Sequence, residues 1–172
     1  MHFILTGAVN SGKSSFVNGL VERLQADGLK LKGWITPAHI ERGKKVGHDF
    51  VELAGLKKQA AIVFTRTEPF ARSSAWRSYH FNGAAFGRAK KIGPSAGLFV
   101  MDEIGPLELC DNAGFAAAAR KALRRSEVTL TVVRKGLEEQ LIEGLDIKDC
   151  AIFTLSSAEE LEGSLRRALS AK

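Results

Sequence analysis

The feature that most constrains this chain is a glycine-rich octapeptide near its start, GAVNSGKS at residues 7–14. It fits the pattern G-x-x-x-x-G-K-[ST], follows a short apolar run at residues 3–5 and precedes a segment whose apolar residues have helical spacing. In such a pattern, glycines allow a tight turn whose backbone N–H groups point inward, and the next helix directs its positive N-terminal end at the same anion. The octapeptide therefore predicts a phosphate-binding loop (P-loop) between a strand and a helix.

The residues of this loop are expected to bind the phosphates of a nucleotide together. Lys13 supplies the positive charge that reaches the outer phosphates, and Ser14 supplies a hydroxyl oxygen for a magnesium ion. The predicted nucleotide-binding residues are Gly7, Ala8, Val9, Asn10, Ser11, Gly12, Lys13, Ser14 and Ser15.

A second segment supplies acidic residues for the same site. Four consecutive apolar residues at 98–101, bounded by Gly97 and Asp102, predict a central strand that is buried on both faces. Mg²⁺ needs hard oxygen ligands close to the phosphates, so Asp102, at the carboxyl end of that strand, is predicted to bind it. Glu103 follows one residue later, where a carboxylate can orient a water molecule or accept its proton. The two acids are interpreted as a metal ligand and a catalytic base.

The order of the remaining elements predicts a mixed sheet. Strand patterns alternate with helical patterns over most of the chain, which is typical of a parallel sheet covered by helices on both faces. Residues from about 34 to 80 instead read as short strands joined by tight turns, which predicts an antiparallel insertion. We therefore expect a single three-layer α/β domain spanning residues 1–172, with a mostly parallel sheet.

Length and composition exclude several other classes of protein. The chain has 172 residues and 45% apolar content, which suffices for one proper core. Its start lacks a basic n-region and no run reaches transmembrane length, so we expect a cytoplasmic protein without a membrane segment. The two cysteines, Cys110 and Cys150, are far apart in sequence and are expected to be reduced. The histidines lack metal-ligand spacing and are expected to be structural or solvated: His2, His39, His48 and His80.

The net charge of +6 and the isoelectric point near 9.5 raise the question of nucleic-acid binding. The basic residues gather in three short places, at 42–45, 66–77 and 120–125, without the interleaved aromatic residues of a single-strand platform. A polyanionic nucleotide accounts for the excess charge as well as DNA would, so nucleic acid is not a predicted partner. Three arginines are left as either a lid over the nucleotide or a solvated loop: Arg66, Arg72 and Arg77.

Five segments together resemble the small P-loop enzymes of the cancer-related nucleoside-triphosphatase family. They occur in the family's order and at roughly its spacing between Phe3 and about Leu145, at residues 7–14, 33–37, 46–50, 102–109 and 132–134. The most specific of them is the run DEIGPLEL at residues 102–109. The resemblance implies a P-loop NTPase domain with a RecA- and kinase-like sheet, and Mg²⁺-dependent hydrolysis of ATP or GTP to the diphosphate with loose base preference.

The same resemblance implies roles for individual residues. Lys13, Glu103 and Arg134 are the implied catalytic residues, and Ser14 and Asp102 are the implied metal ligands. Arg134 ends a β-branched strand that, in RecA-like sheets, lies between the P-loop strand and the strand of Asp102. That position would bring its side chain beside the γ-phosphate.

Two residues depart from the family pattern. Asn10 stands where the family's loop usually has glycine; asparagine tolerates a left-handed φ, so we expect the loop to form. Pro106 stands where lysine is common, which removes a charge from that position.

Three functions remain open from the sequence. Hydrolysis is favoured by Asp102 and Glu103 and by the resemblance. A small-molecule or nucleotide kinase would use the same loop and metal if an acceptor hydroxyl replaced water. A nucleotide-switched adaptor would bind nucleotide with little turnover and pass its state to a partner protein. The sequence contains no Asn-Lys-x-Asp motif, so it leaves the base preference undecided along with the oligomeric state.

Overall fold

A β-sheet of eleven strands runs through the computed structural model, which describes residues 1–171. The strands are β1 His2–Gly7, β2 Leu31–Ile35, β3 Ala38–Glu41, β4 Lys44–Gly55, β5 Lys57–Lys58, β6 Ile62–Arg66, β7 Ser73–Trp76, β8 Tyr79–Asn82, β9 Leu98–Ile104, β10 Val128–Arg134 and β11 Cys150–Phe153. The helices are α1 Lys13–Ala26, α2 Gly83–Lys91, α3 Pro106–Leu109, α4 Ala116–Arg125, α5 Glu138–Gly144 and α6 Ala158–Ser170, with a 3₁₀ turn at Leu155–Ser157.

One half of the sheet is parallel, and its central strands are buried on both faces. Its strand order is β11-β1-β10-β9-β2, and each neighbouring pair is parallel. Along β9, Leu98 and Val100 pack into the core on one face, and Phe99 and Met101 pack into the core on the other. Alternate residues of a strand point to opposite faces, so an uninterrupted apolar run is what a strand between two helical layers requires.

The other half of the sheet is antiparallel. Strand β4 pairs antiparallel with β2 and β6, and β8 pairs antiparallel with β6 and β7. The antiparallel strands expected from the turn-rich part of the sequence are thus β3 to β8, which span residues 38–82. The predicted fold class, a mostly parallel α/β sheet with antiparallel strands, is confirmed.

The topology brings several loops to one edge of the sheet. Strands β1, β10, β9 and β2 are adjacent and parallel, so their carboxyl ends and the loops that follow them lie side by side. Within residues 1–171, no helix is long and apolar enough to cross a membrane.

Candidate active site

The P-loop connects the end of β1 at Gly7 to the start of α1 at Lys13. Two residues in this turn have left-handed backbone angles, Asn10 with φ 57° and Gly12 with φ 97°. Asparagine adopts this region at lower cost than most residues, which explains why Asn10 fits this position of the turn. The loop therefore has the tight turn that the octapeptide predicts.

Lys13 is buried, and its charged ammonium group contacts only neutral backbone carbonyl groups among residues 1–171. Its ammonium Nζ donates hydrogen bonds to the carbonyl oxygens of Gly7, at 2.8 Å, and Ala8, at 2.7 Å, and the residue is 6% exposed. Among residues 1–171 it has no carboxylate within salt-bridge distance. A buried cation without a counter-charge is costly, so this environment suits an anionic ligand.

Asp102 lies at the carboxyl end of β9 and is fully buried. One carboxylate oxygen accepts a hydrogen bond from Ser14 Oγ at 3.1 Å. The other accepts hydrogen bonds from Thr36 N at 2.9 Å and Thr36 Oγ1 at 3.1 Å. Burial raises the pKa of Asp102 above its ordinary value, and the hydrogen bonds from Thr36 and Ser14 oppose that rise. The carboxylate is thus fixed beside the first turn of α1.

The oxygen atoms of Ser14 and Asp102 suit a site that binds Mg²⁺ together with water and substrate phosphates. They do not suit a site in which protein side chains alone surround a metal. Both are hard oxygen donors, and Mg²⁺ is commonly held by one or two carboxylates together with water and substrate phosphates. Among residues 1–171, no group of three or more histidine, cysteine, aspartate or glutamate residues could hold a metal ion by itself. The donor set therefore suits an ion that is shared with a nucleotide.

The pairing of strands in the sheet places Arg134 beside the start of the P-loop. Strand β10 lies between β1 and β9, and Arg134 is the register partner of Gly7. Its Nε atom is buried and has no hydrogen-bond partner among the described residues. An unsatisfied buried donor is rare in folded proteins because it loses its bond to water. A ligand that accepts this hydrogen bond would remove the cost.

A cavity of about 580 Å³ joins these residues. One end is formed by residues 9–15 of the P-loop with Glu103 and Arg134, and Asp102 lies behind it, bonded to Ser14. Phe115 also lines the cavity, and the strands at the edge of the sheet away from β1 contribute its aromatic end, namely Phe64, Trp76, Tyr79 and Phe81. The volume is within the range of small-molecule sites in proteins.

Thr36 and His48 line the cavity, although neither was predicted as functional from the sequence. His48 was expected to be structural or solvated, yet it lines the cavity, and its Nδ1 is 2.9 Å from the carbonyl oxygen of Thr36. Because a carbonyl oxygen only accepts, Nδ1 is the donor in this hydrogen bond, and Nε2 is the ring nitrogen left for a ligand. Thr36 and His48 both lie in segments that resemble the family, at 33–37 and 46–50, which was the signal available.

Lys45 reaches the P-loop from the antiparallel insertion. Its Nζ donates a hydrogen bond to Asn10 Oδ1 at 3.0 Å, and both residues line the cavity. The contact puts a further positive charge at the mouth of the phosphate end.

Glu108 is a buried carboxylate that holds the turn after Glu103. Its two oxygens accept hydrogen bonds from the backbone N–H groups of Gly105 and Phe115, each at 3.0 Å, and burial raises the pKa of Glu108 to about 7. Both oxygens are occupied by the backbone, so the side chain joins the turn to the start of α4.

The arginines considered as a lid occupy other places. Arg66 Nη2 pairs with Glu41 Oε2 at 2.6 Å, and the guanidinium carbon of Arg77 lies 4.4 Å from the centre of the Trp76 ring. Neither these two nor Arg72 is among the described residues that line the cavity.

A family model, relatives and a solved structure that match this chain are all named as nucleoside-triphosphatases. A family model described as NTPase matches residues 2–162. The cancer-related nucleoside-triphosphatase homolog of Mus musculus is 26% identical over 168 residues, which cover 90% of this chain and 88% of that protein. The nucleoside-triphosphatase THEP1 of Thermofilum pendens is 27% identical over 158 residues, covering 90% and 86%. The solution structure of a human cancer-related nucleoside triphosphatase matches with a TM-score of 0.70 at 23% identity, covering 99% and 98%, and supports the fold.

Proposed function

Because this chain belongs to the NTPase family, we propose that it hydrolyses nucleoside triphosphates to diphosphates and phosphate in a Mg²⁺-dependent reaction with loose base preference. ATP and GTP are the proposed substrates. One observation carries the proposal: Lys13 and Arg134, neither paired with a carboxylate among residues 1–171, line one cavity at the carboxyl ends of adjacent strands. The names of the relatives from Mus musculus and Thermofilum pendens support the same reaction.

The proposed mechanism begins with the phosphates. Lys13 exchanges its two carbonyl partners for oxygens of the β- and γ-phosphates, and the N–H groups of the P-loop hold the rest of the phosphate chain. Ser14 and Asp102 hold Mg²⁺, which when bound would neutralise charge on the phosphate oxygens.

The chemical step needs a nucleophile and a stabilised transition state. Glu103, next to Asp102 and lining the cavity, orients a water molecule and accepts its proton. Arg134 donates its unused N–H to the γ-phosphoryl group as charge spreads over that group. Glu103 beside the nucleophile and Arg134 beside the developing charge favour an enzyme that hydrolyses the nucleotide. A nucleotide switch that only binds would need neither group.

A phosphate-release assay tests the proposal. ATP, GTP, CTP and UTP are each incubated with the protein in Mg²⁺ and, separately, in excess EDTA. We expect phosphate to be released from all four in Mg²⁺ and from none in EDTA, because Ser14 and Asp102 supply too few ligands to hold the metal against a chelator. Release that persists in EDTA would contradict the metal dependence. Release from a single nucleotide would contradict the loose base preference.

Replacing Arg134 with alanine tests the assignment at the end of β10. If the guanidinium meets the γ-phosphoryl group mainly as charge develops, kcat should fall by roughly 10²-fold with little change in KM. Arg134→Lys should recover only part of the rate, since lysine lacks the planar fork that suits phosphate oxygens. Steady-state kinetics distinguish this from ground-state binding, which would raise KM. A wild-type kcat in Arg134→Ala would remove the residue from the mechanism.

A further inference from the structure

At the aromatic end of the cavity, three side chains form a surface that has no role in the proposed hydrolysis of nucleotides. In the β7–β8 hairpin, Trp76 pairs with Tyr79 and Ser74 pairs with Phe81. Paired and alternate residues of a hairpin share one face, so Trp76, Tyr79 and Phe81 form a single aromatic surface, and all three line the cavity. We call this surface the ring wall.

Packing in the core explains only one of the three rings. Phe81 contacts Phe64, at a centroid distance of 5.4 Å, and Phe86, at 6.0 Å. The ring contacts of Trp76 and Tyr79 among residues 1–171 are with Phe81 alone, at 6.2 and 6.4 Å, and Tyr79 is 42% exposed. Tyr79 therefore has surface available to a ligand, and Trp76, which is partly exposed, lines the cavity with it.

Trp76 is also held in place. Its indole Nε1 donates a hydrogen bond to Asp111 Oδ2 at 2.6 Å, and Arg77 lies over the ring. A fixed ring loses little conformational entropy when a ligand stacks on it, which favours binding.

The sheet order places the ring wall beyond the strands of Arg134 and Glu103, as seen from the P-loop strand. Strand β1 leads into the P-loop, and β7 and β8 lie at the opposite edge, with the strands of Arg134 and Glu103 between them. Under the proposed function, the γ-phosphoryl group faces Glu103 and Arg134, so the nucleoside part of the nucleotide leaves on the other side. A molecule on the ring wall is therefore a second ligand, on the side from which the γ-phosphorus is attacked.

The lining chemistry indicates a neutral ligand with a planar ring. Planar bases stack on aromatic side chains, and the residues that line the cavity with the rings offer polar groups, including His48 Nε2 and the hydroxyls of Thr65 and Thr67. The charged Arg77 and Asp111 contact Trp76 but are not among the described lining residues. Among the described lining residues, the lysines and the arginine belong to the phosphate end, namely Lys13, Lys45 and Arg134. A second phosphate group would need its own cationic clamp. A nucleoside fits this end better than a nucleotide.

We propose that the ring wall binds a nucleoside and that the enzyme transfers the γ-phosphoryl group of its triphosphate to a hydroxyl of that nucleoside. The inference rests on the proposed function, since it uses the same phosphate site. The hydroxyl oxygen forms a bond to the γ-phosphorus, and the bond from that phosphorus to the β,γ-bridging oxygen breaks, with the electron pair leaving on the diphosphate. The hydroxyl proton passes to Glu103. The products are a nucleoside monophosphate and a nucleoside diphosphate.

The first experiment uses ATP labelled with ³²P at the γ-position, Mg²⁺ and each of adenosine, guanosine, cytidine and uridine. We expect label in at least one phosphorylated nucleoside, and less label transferred to AMP than to adenosine. Label found only in inorganic phosphate would overturn the inference while leaving the proposed hydrolysis intact. If neither phosphate nor nucleoside is labelled, the proposed function fails as well.

Variants of the ring wall supply the second test. Tyr79→Ala and Trp76→Ala should lower transfer to a subsaturating nucleoside by about tenfold, the scale expected for one lost stacking contact. Tyr79→Phe keeps the ring and should keep most of the transfer. Ile152→Ala is the matched control, because Ile152 is 49% exposed and lies on β11 at the opposite edge of the sheet. Equal transfer in Tyr79→Ala and Ile152→Ala would overturn the inference. A raised KM for ATP in Tyr79→Ala would do so too, because it would place the substrate's own base on the ring wall.

Discussion

Replacing Lys13 with alanine is expected to abolish tight binding of nucleoside triphosphates. In the structure, the ammonium group is buried and held by two carbonyl oxygens at the start of the P-loop, with no carboxylate among residues 1–171 to neutralise it. Its full charge is therefore available to the β- and γ-phosphates. In a site that excludes water, a charge-assisted contact of this kind is much stronger than at the surface. We expect the affinity for ATP to fall by at least about 10²-fold, measured by calorimetry with Mg²⁺ present.

The control for this experiment is an exposed lysine on the insertion. Lys44→Ala removes the same charge from the β3–β4 hairpin, where the side chain lies in solvent, so the affinity for ATP should stay close to wild type. The stability of Lys13→Ala should not fall, since the substitution removes a buried cation that has no counter-charge in the protein. Thermal melting checks that point. Unchanged ATP affinity in a folded Lys13→Ala variant would refute the nucleotide site itself.

The parts of the fold that the sequence predicts well are those with local signals. Eight consecutive residues predict the P-loop, and an apolar run that stops at Asp102 predicts β9. Both patterns follow from short-range physics, since a tight phosphate-binding turn needs glycine and a strand buried on two faces needs continuous apolar residues. The alternation of strand and helix patterns along the sequence likewise predicts which strands end at the site.

The contacts that complete the site depend on distant parts of the chain. Thr36 reaches Asp102, and His48 reaches Thr36, only because β2 lies between β9 and β4, an arrangement that no local pattern encodes. Lys45 meets Asn10 through a hairpin tip that reads, in sequence, as one of several basic clusters. The aromatic residues Trp76 and Tyr79 lie beside arginines in the sequence, yet their shared face is set by the hairpin register. Register and long-range pairing are where reasoning from the sequence ends.

Two glutamates, one near the end of β9 and one in α3, show how different surroundings give like side chains different roles. Glu103 and Glu108 are five positions apart and both line the cavity. Glu108 is 5% exposed, and the backbone N–H groups of Gly105 and Phe115 use both of its oxygens, so its carboxylate serves the turn. Glu103 carries no such pair of backbone bonds among the described residues, which leaves it as the acid that can act on a nucleophile.

Glu103→Gln is accordingly expected to bind nucleotide and Mg²⁺ like the parent while turning over at least about 10²-fold more slowly, the usual scale for the loss of a general base. Glutamine keeps the size of the side chain and removes its ability to take a proton. Calorimetry and phosphate release measure the two quantities separately. The control is Glu139→Gln, an exposed residue of α5, which should leave both values unchanged.

Asp102→Asn should fail in a different way, because its carboxylate is the proposed metal ligand and is bound to Ser14 and Thr36 rather than to the nucleophile. The variant should need more Mg²⁺ for half-maximal turnover, and raising Mg²⁺ should recover part of its rate, whereas no concentration of Mg²⁺ should recover Glu103→Gln. A Mg²⁺ titration of both variants separates the two roles. If both hydrolyse ATP at the parental rate and with the parental Mg²⁺ dependence, neither acid has the role assigned here, and the water-orienting group has to be sought among the other polar residues of the cavity, beginning with His48.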